Sequence, residues 1–428
     1  MLRRAVLLSV AVCFAVGFSA VPARADSIRG SQQWVLSMLN VAAAWQVTQG
    51  AGVTVAVLDS GVNDHVSDLT GQVSTGPDFT GVSTRPGNAN WGVHGTWMAS
   101  LIAGHGHGGG SDGVIGIAPR AHVLSVRVIP DRQDPEYGTY EHEPETSIQS
   151  SLAAGINDAV RSGARVISMS IGYSSPSTVV REALLNAFLH GVVVVASAGN
   201  SGTYRDSSAP ESFPADYPGV ISVGAVNESG NVAGFSSDNL SVQVAAPGVN
   251  VPAQGRDGQY WYVSGTSPAC ALVAGVAALI KAKYPDLPPD LVAKAMTSTT
   301  TGRPPGGYDS QVGFGIVDAA AALAKAGQLS GTALSGTALS GTGPSGSPRS
   351  ATGGKAATAF FGGGPAAIAP EPVRPRGSSQ LILFAILALT SLVLTGAAAT
   401  KLALLRRSSS LAAPGGPPPP PVPGGWHE

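Results

Sequence analysis

VSGTSPACALVAGVAALIKAKYP, residues 263–285, sets a serine directly ahead of a proline and follows both with a long apolar run of helical character. Proline lacks a backbone N–H and breaks helix interiors, but it is tolerated at the first helical position, where that N–H would have no intrahelical partner. It also pushes the preceding residue towards extended geometry, the geometry of an N-cap. The reading is therefore a helix over 267–283 with Ser267 as its cap and Pro268 as its first residue. Whether Ser267 is a nucleophile or only a cap depends on what the rest of the chain brings to it.

Six short β-rich runs recur through the chain: 53–59, 122–129, 165–171, 192–197, 220–226 and 242–248. Several are apolar on both faces, as strands buried in a parallel sheet must be. Helical patterns at about 97–104, 146–162, 177–190, 267–283, 289–298 and 317–326 fall between or after them. Interleaved strands and helices define an α/β fold, an open, mainly parallel twisted sheet flanked by helices. In such sheets ligands and chemistry gather beyond the carboxyl ends of the strands.

Three residues stand at such places. Asp59 directly follows VTVAVL, His94 opens His-Gly-Thr ahead of WMASLIAG, and Ser267 sits in Gly-Thr-Ser. Singly, each has an ordinary reading as a turn residue, a surface histidine or a cap. Together, in the order Asp–His–Ser, and flanked by VAVLDSGV, HGT and SGTS-x-A leading into VAGVAAL, they resemble the subtilisin-like serine proteases, the subtilases. The resemblance spans roughly residues 35–326. It implies a serine peptidase acting on polypeptides through an acyl-enzyme: His94 takes the proton of Ser267 and returns it to the leaving amine, while Asp59 orients the imidazole. It also implies an oxyanion hole made by the side-chain amide of Asn200, in VVVVASAGNSG, and by the backbone N–H of Ser267. Substrate would lie against Ser170, Ile171 and Gly172, and against Ser197, Ala198, Gly199 and Ser212.

The chain departs from the family pattern in places. Pro268 replaces a residue that is often Met, but the oxyanion donor belongs to Ser267 and survives the change. HGTWMAS replaces the common HGTHVAG, placing Trp97 and Met98 beside the base. The segment GHGHGGGSDGVIGIAPRA (104–121) occupies the place where many subtilases hold calcium, yet six of residues 104–113 are glycine. It reads as a flexible loop, with no bound metal and no cofactor. An acidic segment, DRQDPEYGTYEHEPE (131–145), has six acidic residues against one arginine and reads either as a solvated loop or as a selector of basic substrates.

Composition organises the remainder. Residues 1–25 read as a signal peptide ending in Ala23-Arg24-Ala25, so 26–326 is an exported peptidase domain. Residues 327–379 are rich in Gly, Ser, Thr and Pro, with the near-repeat LSGTA-LSGTA-LSGTG, and read as a flexible linker. Residues 380–400 contain the uncharged run 381–399, which is long enough to cross a bilayer, and 401–428 form a proline-rich cytoplasmic tail. This places the protein in the cell membrane with a single span and its catalytic domain outside. Cys13 leaves with the signal peptide, so Cys270 has no partner for a disulfide. Formal net charge is -1, without a basic stripe, which gives no footing for nucleic acid. The short stretch before the first strand, the GIAPRA segment and the C-terminal span resemble the mycosins, membrane-anchored subtilases associated with actinobacterial type VII secretion. That resemblance implies secretion-machinery proteins as partners. Mycosins generally carry disulfides, from which this chain departs.

Overall fold

The computed structural model describes residues 28–108, 112–202 and 212–338. The expected signal peptide, the membrane span, the tail and most of the linker lie outside the described residues. Helices α1 (Ile28–Met38) and α2 (Val41–Trp45) lead into β1 (Thr54–Asp59), and β2 (Val73–Asp78) precedes α3 (Val93–Ala103). A hairpin of β3 (His105–His107) and β4 (Asp112–Ile115) then leads to β5 (His122–Arg127), α4 (Tyr137–Glu141) and α5 (Glu145–Arg161). β6 (Val166–Met169), α6 (Thr178–Leu189), β7 (Val193–Ser197), β8 (Ile221–Val226) and β9 (Val242–Pro247) follow. A second hairpin, β10 (Val251–Gln254) with β11 (Tyr260–Val263), leads directly into α7 (Thr266–Lys283), and α8 (Pro289–Thr297) and α9 (Ala319–Ala338) complete the described residues.

Seven strands form one sheet in the order β2-β5-β1-β6-β7-β8-β9, and every pairing in it is parallel. The six strands expected from the sequence are all in it. The seventh, β2, reads VSTGPD and carries no apolar alternation. Its place at the sheet edge explains this, because an edge strand tolerates glycine and proline where a central one does not.

Both faces of the sheet are covered, as apolar strands without alternation require. Side chains alternate along a strand: in β1, Val55 and Val57 join the core built around α7, while Ala56 and Leu58 join the one built with α5 and α6. Helix α7 is apolar on every side, and all its residues but Ser267, Ala282 and Lys283 are buried, so its hydropathy marks a core helix. Even Lys281 is 2 % exposed; its ammonium donates to the carbonyls of Pro285 and Leu287 beyond the helix end.

The structure corrects three local readings. Helix α9 runs to Ala338, so the first two copies of LSGTA are helical and not tether. Residues 104–108 and 112–115 are not a featureless loop: β3 and β4 pair, and Arg29 Nε donates to the carbonyl of Gly113 at 3.0 Å. The buried carboxylate of Asp68 faces His107 Nδ1 at 2.7 Å and accepts from the N–H of Val114 at 2.7 Å and the hydroxyl of Tyr260 at 3.0 Å. Third, Ser267 is not the cap of α7. Gly265 is the N-cap, at φ 150, which leaves Ser267 second and Pro268 third in the helix. The proline remains within the first turn, where its missing N–H costs nothing.

Candidate active site

β1, α3 and α7 converge where the chain leaves the sheet at the carboxyl end of β1. Asp59, the last residue of β1, is 1 % exposed and faces His94 Nδ1 with both oxygens, at 2.8 and 2.9 Å. A carboxylate only accepts, so Nδ1 carries the proton and Nε2 is left as the basic nitrogen. Burial pulls the His94 pKa down, but the charge and hydrogen bond of Asp59, followed by the charge of Asp131, outweigh it and raise it above the ordinary 6.5.

Helix α3 begins earlier than its apolar pattern suggests and takes His94 into its first turn. Its N-cap, Gly92, has no side chain to offer the free amides. Asp131 supplies the acceptor from a distance, taking the N–H of Val93 at 2.7 Å and of His94 at 2.9 Å. Burial raises the Asp131 pKa against the pull of those two donors. The glycine of His-Gly-Thr is dictated by contact: a Cβ on Gly95 would stand 2.1 Å from the carbonyl oxygen of Gly61. Its N–H instead meets Ser60 Oγ at 3.1 Å, which holds the start of α3 against the end of β1.

Ser267 lines the same cleft as His94, a cavity of about 940 Å³. Among the described residues no hydrogen bond joins the two. Ser170 Oγ donates to the Ser267 carbonyl at 3.1 Å and fixes the start of α7. Asn200, just beyond β7, accepts from the N–H of Thr266 at 2.8 Å and from its hydroxyl at 3.0 Å, both through Oδ1. Because those partners donate to the oxygen, Nδ2 faces the other way, and no hydrogen bond from it exists among the described residues. The N–H of Ser267 is likewise unpaired there, being one of the orphan amides of a helix start. Two unengaged donors therefore lie at Ser267 in the cleft.

Ser170, Ile171 and Gly172 beyond β6, and Ser197, Gly199 and Ser212, line the cleft as the sequence suggests. A Cβ on Gly172 or on Gly199 would lie 3.3 or 3.1 Å from Ser212 Oγ, so the two glycines keep open a slot beside that hydroxyl. Ala198 does not join them: it is fully buried, and its N–H pairs with the carbonyl of Val223. Cys270, one turn beyond Ser267, is a free and buried thiol whose pKa burial pushes up to about 12.

The acidic segment is anchored to the fold by several of its carboxylates. Asp131 caps α3, Asp134 pairs with buried Arg127 at 2.9 Å, Glu136 accepts from Ser83, and Glu145 accepts the N–H groups of Ser174 and Ser175. Four of its six carboxylates thus tie the segment to neighbouring parts of the fold. Arg127 also binds Asp78 and lies 4.4 Å above the Trp91 ring, tying the segment to the loop that precedes α3. Sequence reasoning missed Asp131, Arg127 and the aromatic surface formed by Trp97 with Trp261. The one signal for Asp131 was its position a few residues beyond the carboxyl end of β5, the strand that pairs with β1.

An all-parallel sheet carrying an aspartate, a histidine and a helix-borne serine at its carboxyl edge defines a subtilisin-like serine protease. Residues 50–315 match the Subtilase family (Peptidase_S8), and the chain belongs to it. Subtilisin DY of Bacillus licheniformis is 37% identical over 253 residues, which is 59% of this chain and 85% of that protein. Two solved mycosin structures are similar as well. MycP1 from Mycobacterium smegmatis gives a TM-score of 0.57 at 32% identity, covering 68% of this chain and 84% of its own. MycP3, a protease from the type VII (ESX-3) secretion system, gives 0.58 at 31% identity, covering 68% and 87%.

Proposed function

We propose that this protease is an endopeptidase of the cell surface, cleaving polypeptides through Asp59, His94 and Ser267. Ser267 Oγ attacks the scissile carbonyl while His94 Nε2 takes its proton. Asp59 holds the imidazole in the tautomer this requires and stabilises the imidazolium. The oxyanion is received by Asn200 Nδ2 and the N–H of Ser267. Collapse expels the amine, protonated by His94, and water then releases the acyl group by the same route in reverse. The observation that carries this reading is the turned amide of Asn200, held by Thr266 so that its donor is unspent beside the nucleophile. A fluorophosphonate probe tests it. Labelling of the folded protein, lost in Ser267→Ala, is the expected result; no labelling of folded protein would leave the domain a scaffold.

The uncharged run 381–399 and the leader 1–25 support a single membrane span, with the protease domain outside and residues 401–428 inside. Proteolytic shaving of intact cells should release a soluble domain cut within 339–379 and spare an epitope on the tail; loss of that epitope instead would reverse the orientation. MycP1 is described as an essential component of a type VII (ESX-1) secretion system, and proteins of such a machinery are the partners we propose here.

A further inference from the structure

We infer that Trp97 and Trp261 form the subsite for the residue just after the scissile bond, and that this subsite takes a large apolar or aromatic side chain. The inference rests on the peptidase reading above. The cleft has two unlike walls. One is built from residues beyond β5, β6 and β7, including Arg132 and Asp131; the other is aromatic and comes from α3 and β11. Trp97 lies three residues beyond His94, on the same side of α3, and the two rings meet edge to face with centroids 6.3 Å apart. Trp261 continues the surface, its ring 6.3 Å from that of Trp97.

The chemistry decides which part of a substrate meets this wall. His94 delivers its proton to the departing amine. The residue bearing that amine therefore lies on the His94 side of the bond, against Trp97. Trp261 is 49 % exposed and lines the cleft, so a large ring stands open beside Trp97. Exposed apolar surface gathered at one place in a soluble domain marks a binding surface. It is also firmly built. Trp261 and Tyr262 pair with Ala253 and Pro252 of the buried strand β10, and Trp261 Nε1 donates to Asp257 Oδ1 at 3.3 Å. With its one donor turned to Asp257, the indole offers an incoming residue only its apolar faces. Five residues join Trp261 to Ser267, so the wall is covalently close to the nucleophile.

Acyl transfer reads this subsite separately from the rest of the cleft. The full-length chain in detergent is given a peptide ester to form the acyl-enzyme, and amino-acid amides compete with water for it. The amine nitrogen attacks the acyl carbon, a C–N bond forms, the C–Oγ bond to Ser267 breaks, and the amine proton passes through His94 to Oγ. Phenylalaninamide and leucinamide should be captured at least ~10-fold better than glycinamide, the discrimination a hydrophobic pocket typically supplies. Trp261→Ala should bring that ratio close to one. Trp261→Asp should turn the preference towards lysinamide, a gain that a misfolded variant cannot produce. Leu240→Ala, at an exposed site absent from the cleft lining, serves as control and should keep the wild-type ratio. Equal capture of all amides by the wild type, or a ratio unmoved by both Trp261 variants, overturns the inference while leaving the peptidase reading intact. Absence of ester turnover overturns both.

Discussion

Asp131 accepts the backbone N–H of His94 at 2.9 Å, so the helix that carries His94 is capped by a residue 37 positions further along the chain. One carboxylate does two things there. It satisfies amides that Gly92 cannot reach, and it adds a second negative charge near an imidazole already facing Asp59.

These two effects separate in variants. The proposed mechanism needs neutral His94, so the acid limb of kcat/KM in the wild type should lie above pH 6.5, in the direction in which Asp59 and Asp131 raise the pKa. Asp131→Asn keeps an acceptor but loses the charge; its limb should move to lower pH with the plateau largely kept. Asp131→Ala should show the same movement, a lower plateau and a loss of about 1 kcal/mol in stability, typical of a lost cap. A pH profile unmoved in both variants would reduce Asp131 to a structural residue.

Asn200→Ala should lower kcat by about 10²–10³-fold with little change in KM, because the amide acts mainly on charge that develops in the transition state. Asn200→Asp is the sharper test. It preserves the acceptor that Thr266 uses, so the turn and the melting temperature should hold, yet it sets an acceptor where a donor is needed. Its kcat should fall at least as far. A change confined to KM would assign Asn200 to the turn alone.

Lys281 gives the fold an alkaline signature. Burial, followed by the nearby charge of Arg165, lowers its pKa from 10.5 to about 8 in the folded protein. Between those values the unfolded chain binds more protons than the folded one, so stability should rise with pH across that window. The gain is on the order of 3 kcal/mol for a shift of this size. It is absent below pH 8, where both states are protonated. Denaturant midpoints from pH 7.5 to 10.5 should climb for the wild type and less steeply for Lys281→Met; parallel curves would show that the ammonium stays charged in the fold.

Calcium should matter little to the segment 104–115. Asp68, fully buried, is engaged by Val114, Tyr260 and His107, a set that leaves it poorly placed to ligate an ion. Excess EDTA should move the melting temperature by no more than about 2 °C, well below the roughly 2.7 kcal/mol of a ligand held at 100 times its Kd. His107→Ala should cost about 2 kcal/mol by withdrawing one partner from a buried carboxylate. A large EDTA effect reversed by calcium would place an ion in another loop.

Local pattern sufficed for much of this protein. Uninterrupted apolar runs announced six buried parallel strands, because a strand covered on both faces has no polar side to show. Asp59, His94, Asn200 and Ser267 were legible because each sits at the end of a strand or the start of a helix, within residues that repeat the family's motifs. What the chain could not disclose depends on partners distant in sequence. β2 has no apolar signature, since an edge strand needs none. The cap of α3 is invisible locally, because Gly92 offers nothing and Asp131 arrives only when β5 has been laid beside β1. The place of Ser267 within α7 was set by the φ of Gly265 and by Asn200 accepting from Thr266, both consequences of packing. The partners of the acidic residues of 131–145, which are Arg127 and the amides of three other segments, were equally hidden. Periodicity is a property of neighbours along the chain; hydrogen bonds between loops exist only after the sheet has brought those loops together.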